Sequence, residues 1–283
     1  MRICLLLLFI AFQLMLNAQE GAMSSDRPGS TYSTAPLNKG EFQIQAGLSY
    51  NYISDETSPL FIKSSRNIFQ PTVNLRYGLF EKLELECSLP QQLEFVSITD
   101  LIGERNNFNY LNGVGIFSRV ALLRENEKGW SMGTRFGFQY DSFSRLGTTA
   151  NVDLSAQKNF TNGLGVSSTL SYFHLFENEL FPNSQWLQFA LNANYGLAGK
   201  INVYLDVSSS FDLDRLSSEE DIYWSNYALS TGLQYIINPN LVLDAGLGIG
   251  INNTEQVNPD TEMNQIASGS SFFLSSVGVS YRF

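Results

Sequence analysis

Cysteine, histidine and charge are all scarce in this chain. Of its 283 residues only Cys4 and Cys87 are cysteines, His174 is the one histidine, and 16% are charged. So few thiols exclude a disulfide framework, and without a Cys/His cluster there is no zinc-type ligand spacing. A G-x-S-x-G elbow, a Walker A loop and a dinucleotide fingerprint are missing too, so no cofactor and no resident metal are expected. Beyond residue 18 no run reaches the roughly 20 apolar residues that a membrane helix needs. The net charge of −10 speaks against nucleic acid as a partner. Cys87 reads as a small hydrophobe on a strand rather than a reactive thiol.

The long apolar run lies at the start. Arg2 precedes Ile3 to Leu16, and Asn17-Ala18 precede Gln19. Residues 1–18 therefore read as a secretory signal peptide cleaved after Ala18, too short to span a membrane as a helix. Residues 19–40 are then a periplasmic lead-in or a partial plug.

What the chain does have is aromatics at 13% (21 Phe, 13 Tyr) and 22 Gly, with a mean hydropathy of −0.08. These fall into period-two alternation, the signature of strands with one greasy and one polar face. Phe42, Ile44, Ala46, Leu48, Tyr50 and Tyr52 alternate with Gln43, Gln45, Gly47, Ser49 and Asn51. The end of the chain repeats the pattern: Phe273, Val277, Val279, Tyr281 and Phe283 against Ser276, Gly278, Ser280 and Arg282. This tail resembles the closing strand of bacterial outer-membrane barrels, whose assembly machinery reads a terminal Phe with apolar residues at every second position before it.

About twelve strands can be marked between residues 41 and 283, within a range of ten to fourteen. The connections alternate. Short ones include Phe80-Glu81, Thr161-Asn162, Ala198-Gly199 and Asn238-Pro239; longer ones are expected at 54–65, 98–108, 142–147, 177–183, 213–221 and 252–270. Such asymmetry suits an antiparallel up-and-down transmembrane β-barrel, an all-β fold with tight periplasmic turns and long external loops. Aromatics on the apolar parity gather at both strand ends, as two interfacial girdles would. Tyr77, Trp130, Phe160, Tyr195, Tyr235, Tyr281 and Phe283 lie toward the short turns; Tyr50, Tyr52, Phe95, Tyr140, Tyr172, Phe176, Tyr223 and Phe273 lie toward the long loops. Lipid offers backbone groups no hydrogen bonds, so the sheet must close, last strand onto first. Arg282 and Glu41 then meet at the short-turn end of the seam.

The polar parity assigns the lumen Arg76, Glu84, Glu86, Glu94, Arg119, Arg135, Asp153, Asp206, Asp244 and Arg282. Such charges are costly against lipid and acceptable facing water or each other. An Arg76–Glu84 pair on adjacent strands serves either as scaffold or as the lining of a path. Around the long loops (residues 54–65, 98–108, 141–147, 177–183, 212–221 and 252–270) fifteen acids face four bases. That rim reads as solvated, with divalent cations shared with anionic head groups as the alternative.

Ahead of the first strand stand Ser25-Asp26-Arg27-Pro28-Gly29, then Pro36 and Lys39-Gly40-Glu41-Phe42-Gln43-Ile44. A DRP triplet followed by P-x-x-K-G-x-F-Q-x-x-x-G resembles the outer-membrane transporter family labelled "MetA-pathway of phenol degradation". The resemblance implies a porin-like protein of the Gram-negative outer membrane, surrounded by lipid and lipopolysaccharide, that passes small, often aromatic, compounds. It carries no binding residues with it.

Two rivals stand against a channel. One is a structural or docking barrel without conductance. The other is a lipid hydrolase built on His174, Ser184 and Gln188; parity opposes it, placing His174 on the lipid face and Ser184 with Gln188 in the lumen.

Overall fold

The computed structural model describes residues 31–57, 62–100, 103–125, 129–141, 147–161, 163–176, 183–197, 199–213, 222–258 and 263–283. The signal peptide expected at 1–18 and the DRP triplet at 26–28 lie outside them, as does the side chain of Tyr223.

Twelve strands follow one another: β1 (Phe42–Thr57), β2 (Ile62–Phe80), β3 (Leu83–Asp100), β4 (Gly103–Leu123), β5 (Trp130–Asp141) and β6 (Gly147–Asn159). Then come β7 (Leu164–Leu175), β8 (Ser184–Leu197), β9 (Ile201–Asp212), β10 (Ile222–Asn238), β11 (Leu241–Asn258) and β12 (Met263–Arg282). Every strand pairs antiparallel with its sequence neighbours, and β12 pairs with β1, so the sheet is a closed barrel. No helix occurs among the described residues.

Closure follows from the alternation. One face of each strand is apolar and outward: Ile116 is 66% exposed, Ile249 62% and Leu205 50%. A soluble protein would cover so continuous a surface with a second layer; here lipid has to do it. The opposite face is polar and buried inside, as along β7, where buried Ser167, Thr169 and Ser171 are on the opposite parity to outward Val166 and Leu170. Outward rings band both ends, with Tyr77, Trp130, Tyr235 and Phe283 at the short turns and Phe95, Tyr140, Phe176 and Phe273 at the other end.

At the seam Gln43 stands opposite Arg282 and Leu48 opposite Val277. The Phe283 N–H donates to the Phe42 carbonyl at 2.8 Å, and the two rings lie 5.8 Å apart. Arg282 approaches Glu41 at 3.8 Å, both side chains about a quarter exposed.

The described residues of three expected long loops, 54–65, 98–108 and 252–270, are strand instead. The β1–β2 ladder runs out to Thr57 opposite Ile62, β3–β4 to Asp100 opposite Gly103 and β11–β12 to Asn258 opposite Met263. Along β4 residues 104–110 are exposed on both parities, so hydrophobic alternation stops there while the backbone ladder continues. The wall is thus tallest at β1–β4 and β11–β12, and lower where β9 ends at Asp212 and β10 begins at Ile222.

Candidate functional site

The lumen is built from the inward parity, and its charge is concentrated on one wall. Across β2 to β6 the register sets Arg76 opposite Glu86 and Gly78 opposite Glu84, Glu84 opposite Arg119, Arg119 opposite Arg135 and Arg135 opposite Asp153. Long side chains in such a row reach diagonal neighbours as well as direct ones. Arg76 takes the diagonal, donating from Nε and Nη2 to both oxygens of Glu84 at 2.6 and 2.9 Å. Glu86 accepts from Arg119 at 3.2 Å and from Arg135 at 3.1 and 2.8 Å. It thereby holds together two guanidinium groups that would otherwise repel. Arg135 reaches on to Asp153 at 3.0 Å, which also accepts from the Asn151 amide at 3.2 Å. All six charged residues are buried, Arg76, Glu84 and Asp153 completely. Three cations match three anions, so the wall is neutral overall, a condition for burying charge at tolerable cost.

Rings stack onto this row. The Arg135 guanidinium carbon lies 3.6 Å from the Phe117 ring centroid and 4.6 Å from that of Tyr32, a cation between two π faces. Phe117 can lie against the sheet because its neighbours are glycines; a Cβ at Gly137 would come within 2.6 Å of its ring.

Tyr32 belongs to the segment ahead of β1, and residues 31–38 run inside the short-turn end of the barrel. Its N–H donates to Thr169 Oγ1 at 3.1 Å, Thr34 Oγ1 pairs with Ser131 Oγ at 2.7 Å, and the Leu37 N–H donates to Glu84 Oε2 at 2.8 Å. Thr34 and Leu37 are buried. The barrel wall makes room for this strap: a Cβ at Gly133 would stand 2.6 Å from the Thr34 carbonyl oxygen, and one at Gly78 would fall on the Asn38 carbonyl. At the strap's end Gly40 adopts φ +84°, a conformation costly for other L residues, and its N–H donates to the Gly78 carbonyl at 2.8 Å. That turn feeds the chain into β1.

The strap lines the β2–β7 side and leaves a cavity of about 570 Å³ against the remainder of the inner mouth. Its lining comes from Gln157, Asn192, Asn194, Asn202, Gln234 and Tyr204, with strap residues Thr31 to Pro36 opposite. At the other end of the barrel, inward-facing rings form an arc. Phe173 stacks on Trp186 with centroids 5.0 Å apart and planes at 8°, and Trp186 stands 6.3 Å from Trp224.

Asp206 and Asp244 are buried on the wall facing the charged row, at the register of Asn192 and Gln234. Glu94 lies apart, in the tall hairpin, where it accepts from the Asn109 amide at 3.2 Å. Arg282 sits at the rim, near Asn240 and Pro239. The register sets His174 opposite Ala150 and Gln185, one position out of phase with inward Ser171 and Gln188. Ser184 pairs with Leu175 on the inward parity, so His174 and Ser184 occupy opposite faces and form no dyad. Cys87 is a free thiol beside Leu75 and Ile116.

A closed antiparallel barrel, greasy outside and charged inside, is a transmembrane β-barrel of the outer-membrane class. No protein-family model matches the chain, and a comparison with curated proteins finds no match. Among solved structures it is similar to an outer membrane channel from Pseudomonas putida F1, at 11% identity and TM-score 0.61, over 90% of this chain and 100% of that one. It is similar to the transport unit of the autotransporter AIDA-I from Escherichia coli (11% identity, TM-score 0.55, 97% of both chains). It also resembles the translocator domain of the autotransporter NalP from Neisseria meningitidis (12%, TM-score 0.53, 87% of this chain and 90% of that one). At such identities the likeness is one of fold.

Proposed function

We propose that this barrel is a passive channel of the Gram-negative outer membrane for small solutes, including those with a hydrophobic or aromatic ring. Its short turns face the periplasm, and residues 19–40 act as a lead-in whose inner limb, the strap, partly plugs the mouth. The observation that carries this reading is the inward arc of Phe173, Trp186 and Trp224. Rings on a wet face leave apolar surface unburied unless a solute stacks on it. The motif resembling the phenol-degradation transporters supports the same reading, since its Gly40 and Gln43 are structural here: Gly40 turns the strap into β1, and Gln43 accepts from Arg76 at 3.3 Å. Of the ten charged candidates, the six in the buried row then serve as scaffold and Asp206 and Asp244, on the facing wall, line the path. The strand ending in Phe283 is the recognition element for the assembly machinery.

Single-channel recording in planar bilayers is the test. Stable conductance steps are expected, with current blocked by phenol in the wild type and several-fold less blocked in W186A/W224A. Silence would overturn the channel reading and favour the non-conducting barrel, for which the strap's occupation of the mouth is the supporting observation. Equal phenol block in both proteins would overturn the ring preference alone.

A further inference from the structure

The cavity beside the strap has a lining that the channel reading does not use. Amides dominate it: Gln157, Asn192, Asn194, Asn202 and Gln234 project into one space with Tyr204 among them. Across from them, strap residues Thr31, Ser33 and Thr34 add hydroxyls, and the charged lining residues, Arg124 and Glu125, are exposed at the turn. At about 570 Å³ the space falls within the roughly 300–1,000 Å³ of small-molecule sites.

Several amides are only loosely engaged with each other. Asn194 donates to Asn192 at 3.4 Å and Asn202 to Gln234 at 3.4 Å, the long end of the range for such bonds. Each amide carries two donors and a two-lone-pair acceptor, a set that suits groups able both to donate and to accept. Hydroxyls are such groups. An apolar ligand would take water away from this half-buried amide lining and offer no hydrogen bond in return, at a cost of about 1–3 kcal/mol for each bond not remade. An anion would lack compensating charge among the amides and would meet Asp206 and Asp244, which stand directly opposite Asn192 and Gln234 in the register.

Tyr204 supplies an apolar face. It is buried along Gly232 and Gly246, and a Cβ at Gly246 would fall on its hydroxyl. A ring with a hydrogen-bonding edge and a C–H face fits beside it.

We infer that this chamber is a binding site for a neutral polyhydroxylated ligand of mono- or disaccharide size, reached from the short-turn end. The inference goes beyond the channel reading and does not depend on conduction.

The test is calorimetric titration of the full-length barrel with maltose. The barrel is held in an amine-oxide detergent, because sugar-headed detergents would compete. Saturable binding is expected, with glucuronate and phenol giving no signal at this site. N192A/N202A should weaken maltose binding at least tenfold while keeping the heat-modifiable gel mobility of a folded barrel. Should that pair fail to fold, Q157A, at the opposite edge, replaces it with the same expectation. The inference is overturned by no saturable heat with maltose, by glucuronate binding equally well, or by unchanged affinity in the folded variants. Binding that appears only after deletion of residues 19–30 would overturn it too, since the chain's own segment would then fill the chamber. Maltose binding with a silent bilayer sinks the channel reading alone; conductance without maltose binding sinks this one alone.

Discussion

Arg76 and Glu84 show what a charge pair is worth when water is excluded. Both are fully buried, so their pairing is set against desolvation rather than screened by solvent. Glu84 also accepts the Leu37 N–H, so one carboxylate ties two strands and the strap. In Glu84→Ala the Arg76 guanidinium stays buried with its main partner gone. The expected loss is about 3–5 kcal/mol of barrel stability, read as a lower urea midpoint for refolding into lipid vesicles. R76M/E84L, which removes both charges and keeps the volume, should recover most of that loss. If Glu84→Ala unfolded at the wild-type midpoint, the pair would contribute nothing to the scaffold. Arg282 and Glu41 are the contrast: 3.8 Å apart and partly exposed, they should be worth about 0–1 kcal/mol.

Among the elements, the strap is the one whose place depends on absent side chains. Gly133 and Gly78 leave room for its backbone, and Gly40 turns it into β1. In Gly133→Val the added methyls collide with the Thr34 carbonyl, an atom that cannot rotate aside. The barrel should still form, since β5 keeps its ladder, while residues 31–38 leave the lumen. Protease should then trim the chain up to Lys39 in the variant and not in the wild type, and unit conductance should rise; unchanged trimming and conductance would show that the strap contributes no plug. Such features explain how far the sequence was legible. Strand number, closure and the Arg76–Glu84 and Arg282–Glu41 pairs follow from parity, because in a barrel the face of a residue and its cross-strand neighbour are both set by counting. The strap was legible only as one of two alternatives for residues 19–40, lead-in or partial plug, because residues 31–38 carry no alternation and their anchor is glycine in strands far along the chain. Phe117, Tyr204, Phe173, Trp186 and Trp224 were hidden as well, since a ring on the polar parity breaks the pattern used to read the lumen. Phe117 and Tyr204 do have one sequence signal, an inward glycine on an adjoining strand, Gly137 opposite Phe117 and Gly232 opposite Tyr204. The tall hairpins escaped because alternation records where lipid stops, and the ladder continues past it.

For the whole molecule, closure can be tested by covalent bonds, because native cysteine is so scarce. With Cys4 and Cys87 replaced by serine, cysteines at Leu48 and Val277, directly opposite across the seam, should oxidise to a link between β1 and β12 that shifts the denatured protein on a gel. Cysteines at Leu48 and Ser276, which alternate faces, should not link; equal linking of both pairs would mean that the first and last strands are not held in this register. The closed barrel also divides its charge into unequal halves. The β2–β6 wall balances three arginines against Glu84, Glu86 and Asp153, whereas β7 to β11 contain no lysine or arginine and carry the buried Asp206 and Asp244. A solute passing between them meets one neutral wall and one negative wall, which raises the local cation concentration and lowers that of anions. In a KCl gradient the reversal potential should therefore report cation preference of several-fold at about 0.1 M salt. The preference should fade near 1 M, where the screening length falls to about 3 Å. D206N/D244N keeps both side-chain volumes and removes both charges, so its permeability ratio should move close to one at every salt concentration. If that variant stayed as cation-selective as the wild type, the field would come from the acidic rim around the long hairpins, and the facing wall would not set selectivity.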